Sequence, residues 1–311
     1  MLPFFTILHP LVDACSVTVL VVGGMSWQRV LAYNALAFAL QFPLGVMLDA
    51  RPRWVRGTFV TSLALTLAGV GLCACGVGDG VALVSACVGN ALFHLSAGKA
   101  VLDEHEGKGG PIALFISTGA LGLFAGMKLA GGYGLWCCLG FCVALAVVGA
   151  VVVGRGLRPR RNHQKTMISL CRDCGGQGLT TLPMRWGFWL LAGLFALVAW
   201  RSWAGLLAGG MTNAAGLGFA LAGAAVKWAG KATGGYLGDR FGRWIVTAVS
   251  VVGSLSLCFL CRPEQAALWL ALLFVAQLAT GPVLSLMYDK SGRASGTAFG
   301  LNCLGLFTGS L

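Results

Sequence analysis

Ten stretches of roughly 20 apolar residues follow one another along the chain, and an eleventh begins near Ala294 and runs to Leu311. A helix needs about 20 such residues to cross the hydrocarbon core of a bilayer, so this succession leaves little chain from which to build a soluble domain. The stretches lie near 3–23, 29–49, 57–76, 80–102, 111–131, 134–154, 187–208, 213–238, 243–261 and 265–287. Gly and Pro clusters such as Gly109-Gly110-Pro111 mark most of the breaks. Only 10% of the 311 residues are charged, against about 25% in soluble domains. The expected fold class is an all-α polytopic membrane protein of about eleven helices, with the lipid bilayer as its first partner.

A net charge of +12 would suggest nucleic acid in a soluble chain, but its distribution here describes topology, and no nucleic-acid partner is expected. Arg51, Arg53, Arg56, Lys108, the basic residues of 155–185, Arg240, Arg243, Lys290 and Arg293 fall on alternate connections, with Arg29 and Arg262 on the others. The positive-inside rule then puts the amino terminus in the cytoplasm of a multi-pass protein of the cell membrane. The first apolar run contains Asp13 and no basic leader precedes it, so it reads as a retained helix. Most of the twelve cysteines sit inside apolar runs, where a thiol acts as a small hydrophobe, and no disulfide is expected.

The one long polar connection, 155–186, separates a six-helix segment, 1–154, from a five-helix segment, 187–311. The two segments repeat. Gly45-Val-Met-Leu-Asp49-Ala-Arg51-Pro-Arg53-Trp54 returns as Gly235-Tyr-Leu-Gly-Asp239-Arg240-Phe-Gly242-Arg243-Trp244, and Leu121-Gly122-Leu123-Phe124-Ala-Gly126 returns as Leu304-Gly305-Leu306-Phe307-Thr-Gly309. Parallel repeats of six helices are a transporter architecture with a midplane site at the repeat interface. The repeat calls for a twelfth helix, the mate of 134–154, after Leu311.

At these residues the chain resembles the major facilitator superfamily, whose loop between helices two and three carries a Gly-x-x-x-Asp-(Arg/Lys)-x-Gly-Arg-(Arg/Lys) signature. Within it the chain is similar to fosmidomycin-resistance exporters through His9-x-x-x-Asp13, Phe93-His94-Leu95 and Arg201-Ser202-Trp203, with Leu95 in place of the family's proline and Ala50 in place of its arginine. The resemblance implies a two-bundle fold, proton-driven export of a small compound, and a conformational latch formed by Gly45, Asp49, Arg53, Gly235, Asp239, Arg240, Gly242 and Arg243.

The residues carry a reading of their own. A carboxylate at a helix end, as at Asp49 and Asp239, accepts from backbone N–H groups at a neighbouring helix N-terminus, or else belongs to a solvated basic loop. Ionisable groups inside the membrane are costly and mark functional sites by default. His9 and Asp13 share one helix face, and His94 enters its helix to a similar depth, so the three are expected to form a proton-coupling site. The alternatives are an Asp13 paired with a cation to hold helices together, and a packing histidine at 94. Arg201, Lys227 and Lys231 put excess positive charge in the same layer, which an anionic substrate would relieve. Arg201, Lys227, Trp203 and Asn34 are the expected substrate-binding residues, with Lys231 snorkelling to headgroups and Lys227 lining water as the bland alternative.

Other patterns are weaker. Cys171-x-x-Cys174 has a metal-binding spacing but no second pair, Cys258-x-x-Cys261 reads as helix packing, and Asp103-Glu104-His105-Glu106 reads as a solvated charge run, so no metal is expected. No nucleophile–base arrangement and no Walker sequence is present, so the chain is not read as an enzyme, and a proton gradient rather than a cofactor is the expected energy source. The expected function is proton-coupled efflux of a small drug-like or anionic compound by a monomer. The alternatives are proton-coupled uptake of a small organic anion, and a truncated non-transporting membrane protein.

Overall fold

A computed structural model of the chain describes residues 1–154 and 184–311. The basic connection, with His163, Cys171 and Cys174, lies outside the described residues except for its last three positions, which begin a helix.

The described residues form eleven helical rods: α1 Leu2–Val22, α2 Trp27–Ala50, α3 Pro52–Ala74, α4 Asp79–Glu104, α5 Gly109–Tyr133, α6 Leu135–Gly154, α7 Met184–Ala214, α8 Leu217–Phe241, α9 Arg243–Leu260, α10 Ala266–Lys290 and α11 Ser295–Thr308. Eight of them are long and apolar enough to cross a membrane. Of the other three, α6 contains the apolar stretch Leu139–Gly154, α8 is 25 residues long but interrupted by Lys227 and Lys231, and α11 has 14 residues. The chain is a multi-pass all-α membrane protein.

Three rods are broken, and two of the breaks follow from proline. Pro43 has no N–H to offer the carbonyl of Ala39, and the preceding residues Ala35–Ala39 widen into a π-turn. Gln41 closes part of the gap by donating Nε2–H to the Ala37 carbonyl at 2.6 Å. Pro282 likewise cannot bond to Leu278, and α10 divides into Ala266–Gln277 and Thr280–Lys290. The break in α5, at Thr118 between Gly109–Ser117 and Gly119–Tyr133, has no proline; its freed carbonyls are taken up by side chains described below.

Close helix approaches repeat between the halves. A Cβ on Gly122 or Gly126 of α5 would meet the backbone of α1 at Pro10 and Ala14, while one on Gly305 of α11 or on Gly309 just past its end would meet α7 at Val198, Ala199 and Ser202. Gly45 of α2 lies against Gly296 of α11, as Gly235 of α8 lies against Gly109 of α5. Small residues at such crossings let backbones pack closely in lipid, where dispersion and hydrogen bonding rather than the hydrophobic effect hold helices together. The pairs α1/α5 and α2/α11 therefore have counterparts in α7/α11 and α8/α5, and α5 and α11 each link both halves. An aromatic cluster fills the first half: Phe5 and Phe59 have ring centroids 5.6 Å apart, and Phe93 and Phe115 are 6.2 Å apart.

Candidate functional site

Asp13 lies roughly 17 Å along α1 at 1.5 Å per residue, and it is buried together with His9 and His94. His9 Nε2 is 3.3 Å from Asp13 Oδ2, and His94 Nε2 is 3.3 Å from Oδ1. The two Nε2 atoms are 2.6 Å from each other. Each imidazole is fixed from behind, His9 Nδ1 lying 2.6 Å from the Phe115 carbonyl at the α5 break and His94 Nδ1 2.9 Å from the Asn90 carbonyl one turn back in α4. Asn90 also donates Nδ2–H to Asp13 Oδ1 at 2.9 Å. The Cβ of any larger residue at 119 would fall 2.7 Å from His9 Nε2 and closer still to Asp13. Sequence reading placed His9, Asp13 and His94 at one depth; Asn90, the Phe115 carbonyl and Gly119 are additions from the structure.

The three groups each offer one atom of a kind that binds metals, all within 4.8 Å of one another, but the two imidazole nitrogens are too close together for both to bind one ion as they stand. Two imidazole nitrogens bound at about 2.0–2.1 Å to one ion stand about 3 Å or more apart, and here they are closer.

In the second half Arg201 is 4% exposed. Its Nη1 donates to Gln277 Oε1 at 3.0 Å and Thr280 Oγ1 at 2.9 Å, both flanking the α10 break. Its Nη2 is buried without a partner among the described residues. Two charge-assisted bonds return about 1.5–3 kcal/mol each, while removing an ion from water costs several kcal/mol, so the unmet donor is the energetic weak point of this half. Lys227 points its Nζ at Gly209, and Lys231 donates to the Ile116 carbonyl at 3.4 Å. Lys231 is within electrostatic reach of Arg201, Lys227 and Asp13. Among the described residues no carboxylate pairs with any of these three cations.

Trp203 and Asn34, also expected at the substrate site, make their contacts apart from the Arg201 guanidinium. Trp203 is 47% exposed and packs beside Trp200; two residues along a helix turn it about 200° from Arg201, which takes it off the guanidinium's face. Asn34 donates to Ser310 Oγ at 3.4 Å, on the seam between α2 and α11.

At the helix ends Asp49 accepts from Gly296 N (2.9 Å), Thr297 N (2.6 Å) and Thr297 Oγ1 (2.7 Å), capping α11. Asp239 accepts from Gly109 N (2.8 Å) and Gly110 N (2.7 Å), capping α5. The caps are equivalent in backbone but not in charge. Lys99 of α4 bonds Asp49 at 2.7 Å and Ser295 at 2.8 Å, whereas Asp239 has Arg243 at 4.0 Å, which itself bonds Asp289. Arg53 is exposed and enters no ion pair among the described residues, and Arg240 stacks on the Phe241 ring at 5.4 Å. Gly242, at φ 105°, forms the turn from α8 to α9. The run at 103–106 is not wholly solvated: Asp103 reaches Lys99 at 3.4 Å and Glu104 meets the amino terminus at 3.4 Å.

No protein-family model and no curated protein matches the chain in sequence. Among solved structures it is similar to a major facilitator superfamily transporter, FucP, in the outward conformation, at 14% identity over 99% of this chain and 89% of that one, with a TM-score of 0.65. It is also similar to the E. coli fucose:proton symporter FucP, at 15% identity over 99% of this chain and 88% of that one, with a TM-score of 0.67. At these identities the likeness concerns architecture, and it agrees with the paired helix crossings. The chain has the major facilitator-type, two-bundle fold.

Proposed function

We propose that this protein is a secondary active transporter that carries a small organic anion across the membrane by alternating access, coupled to protons. The observation that carries this reading is the opposition of two buried groups: the His9–Asp13–His94 cluster in one half, and Arg201 with an unmet Nη2 beside Lys227 and Lys231 in the other. Buried cations without counter-ions are unfavourable, and a carboxylate, phosphate or phosphonate would complete them with charge-assisted bonds. The capping carboxylates Asp49 and Asp239 hold α2 to α11 and α8 to α5 at one membrane face, and their release accompanies opening on that side. The excess of basic loops on that face supports its assignment to the cytoplasm of a cell membrane.

The likeness to fosmidomycin-resistance exporters favours a phosphonate and outward transport, with uptake as the second reading. Expression in a phosphonate-sensitive host separates them. Higher tolerance, lost on Asp13→Asn, supports export, and lower tolerance, also lost on that substitution, supports uptake. No effect of either form on any phosphonate or carboxylate toxin argues for a non-transporting membrane protein.

A further inference from the structure

The hydrogen bonds behind the two imidazoles determine what lies between them. A carbonyl oxygen only accepts, so His9 Nδ1, 2.6 Å from the Phe115 carbonyl, and His94 Nδ1, 2.9 Å from the Asn90 carbonyl, both carry hydrogen. In a neutral imidazole the other nitrogen is then a bare lone pair. Here both bare nitrogens would face each other at 2.6 Å, a repulsive contact in a buried site. One added proton turns it into an N–H···N bond, and a second would leave two N–H groups pointing at each other. Asp13 sits astride the pair, 3.3 Å from each Nε2, so its negative charge is balanced by one proton.

The same stretch of backbone reaches the cations. The break in α5 offers two successive carbonyls, that of Phe115 to His9 and that of Ile116 to Lys231. Without the shared proton the cluster is anionic and draws on Lys231; with it the cluster is neutral and Lys231 is free for another anion. The other ionisable groups in electrostatic reach are Tyr33 of α2, Cys303 of α11 and, through Tyr33, Cys87 of α4, all neutral near pH 7, and Arg201, whose positive charge only adds to that of Lys231.

We propose that His9 and His94 hold one proton between their Nε2 atoms, and that an anion at Arg201, Lys227 and Lys231 binds together with this proton rather than in exchange for it. This rests on the reading of the cation cluster as the substrate site. By linkage, cooperative binding of proton and anion makes the carrier a co-transporter, so that an inward proton gradient drives the anion inward, which selects uptake, the second of the two directions above, over export.

Two measurements on the full chain in nanodiscs test the halves separately. In nitrogen-15 histidine NMR, assigned by His→Gln variants, His9 and His94 are expected to keep Nδ1–H throughout and to lose a single shared Nε2 proton in one step, and His94→Gln to change the Nε2 signal of His9. Independent titration of the two rings, or a protonated Asp13 carboxyl in the infrared, overturns the shared proton. In weakly buffered solution, binding of methylphosphonate is expected to take up as much as one proton per anion above the pH of that step, with affinity falling by as much as tenfold per pH unit. His94→Gln is expected to abolish the uptake, and His105→Gln, at the end of α4, to leave it. Proton release, or binding without proton uptake, overturns the cooperative half. Absence of binding by methylphosphonate, inorganic phosphate and acetate at every pH overturns the substrate-site reading and the cooperation with it, while leaving the NMR result to stand or fall by itself.

Discussion

Asp13 and Arg201 sit on corresponding helices of the two halves, α1 and α7, near the same helix crossing. Gly126 of α5 packs on Ala14, next to Asp13, and its mate in the sequence repeat, Gly309 at the end of α11, packs on Ala199 and on Ser202, next to Arg201. Each is also held by its counterpart helix, Asp13 by Asn90 and His94 of α4 and Arg201 by Gln277 and Thr280 of α10. The duplicated architecture thus holds an acid in one half and a guanidinium in the other through corresponding pairs of helices.

Arg201→Gln removes the unmet Nη2 donor as well as the charge. Anion binding, measured calorimetrically with methylphosphonate, is expected to weaken roughly tenfold to a hundredfold, the loss of one charge-assisted bond of about 1.5–3 kcal/mol. An unchanged affinity would remove Arg201 from the site.

Trp203→Ala is expected to change that affinity less than about twofold, because the indole lies about 200° around α7 from the guanidinium. A loss as large as that of Arg201→Gln would show that α7 turns during the cycle.

Gly119→Ala puts a methyl group onto Asp13 and His9. Thermal unfolding in detergent is expected to report a loss of about 1–3 kcal/mol, the cost of overpacking. Gly131→Ala, farther along α5 with open space around it, is expected to be neutral or to stabilise by at most about 1 kcal/mol. Equal effects at both sites would contradict the close approach of α5 to the cluster.

The two helix-end caps are expected to differ in strength. Asp49→Asn takes from Lys99 the nearer of its two carboxylate partners, leaving Asp103 at 3.4 Å, as well as weakening three bonds to α11, whereas Asp239→Asn weakens two bonds to α5. Spin labels at the exposed positions Arg53 and Arg293 are expected to move apart more in Asp49→Asn than labels at Lys108 and Arg240 do in Asp239→Asn. The reverse order would contradict a role for Lys99 in closure.

Much of this architecture is legible in the sequence because bilayer thickness imposes a length on every apolar run, and because the Gly45–Asp49 and Gly235–Asp239 segments keep their pattern. His9 and Asp13 are legible as a pair by their spacing of one turn. The remainder depends on contacts between distant elements. Lys99 has an evident partner in Asp103 one turn along α4, and nothing near it names Asp49, fifty residues away, as the closer one. Asn90 and Gln277 look like ordinary polar substitutions, and the α5 break has no proline to announce it. Trp203 adjoins Arg201 in sequence but not on the helix face, since two residues turn it about 200° around α7. Arg53 and Arg240 follow the loop motif in sequence, yet at the surface the caps are made by backbone N–H groups instead.

The most direct test of proton-coupled anion transport is flux into proteoliposomes containing the full chain, with an imposed pH gradient and labelled methylphosphonate outside. An acidic exterior is expected to drive accumulation above the equilibrium level, collapse of the gradient to abolish it, and Asp13→Asn to leave only passive exchange. Accumulation that ignores the gradient, or survives Asp13→Asn unchanged, would contradict the account.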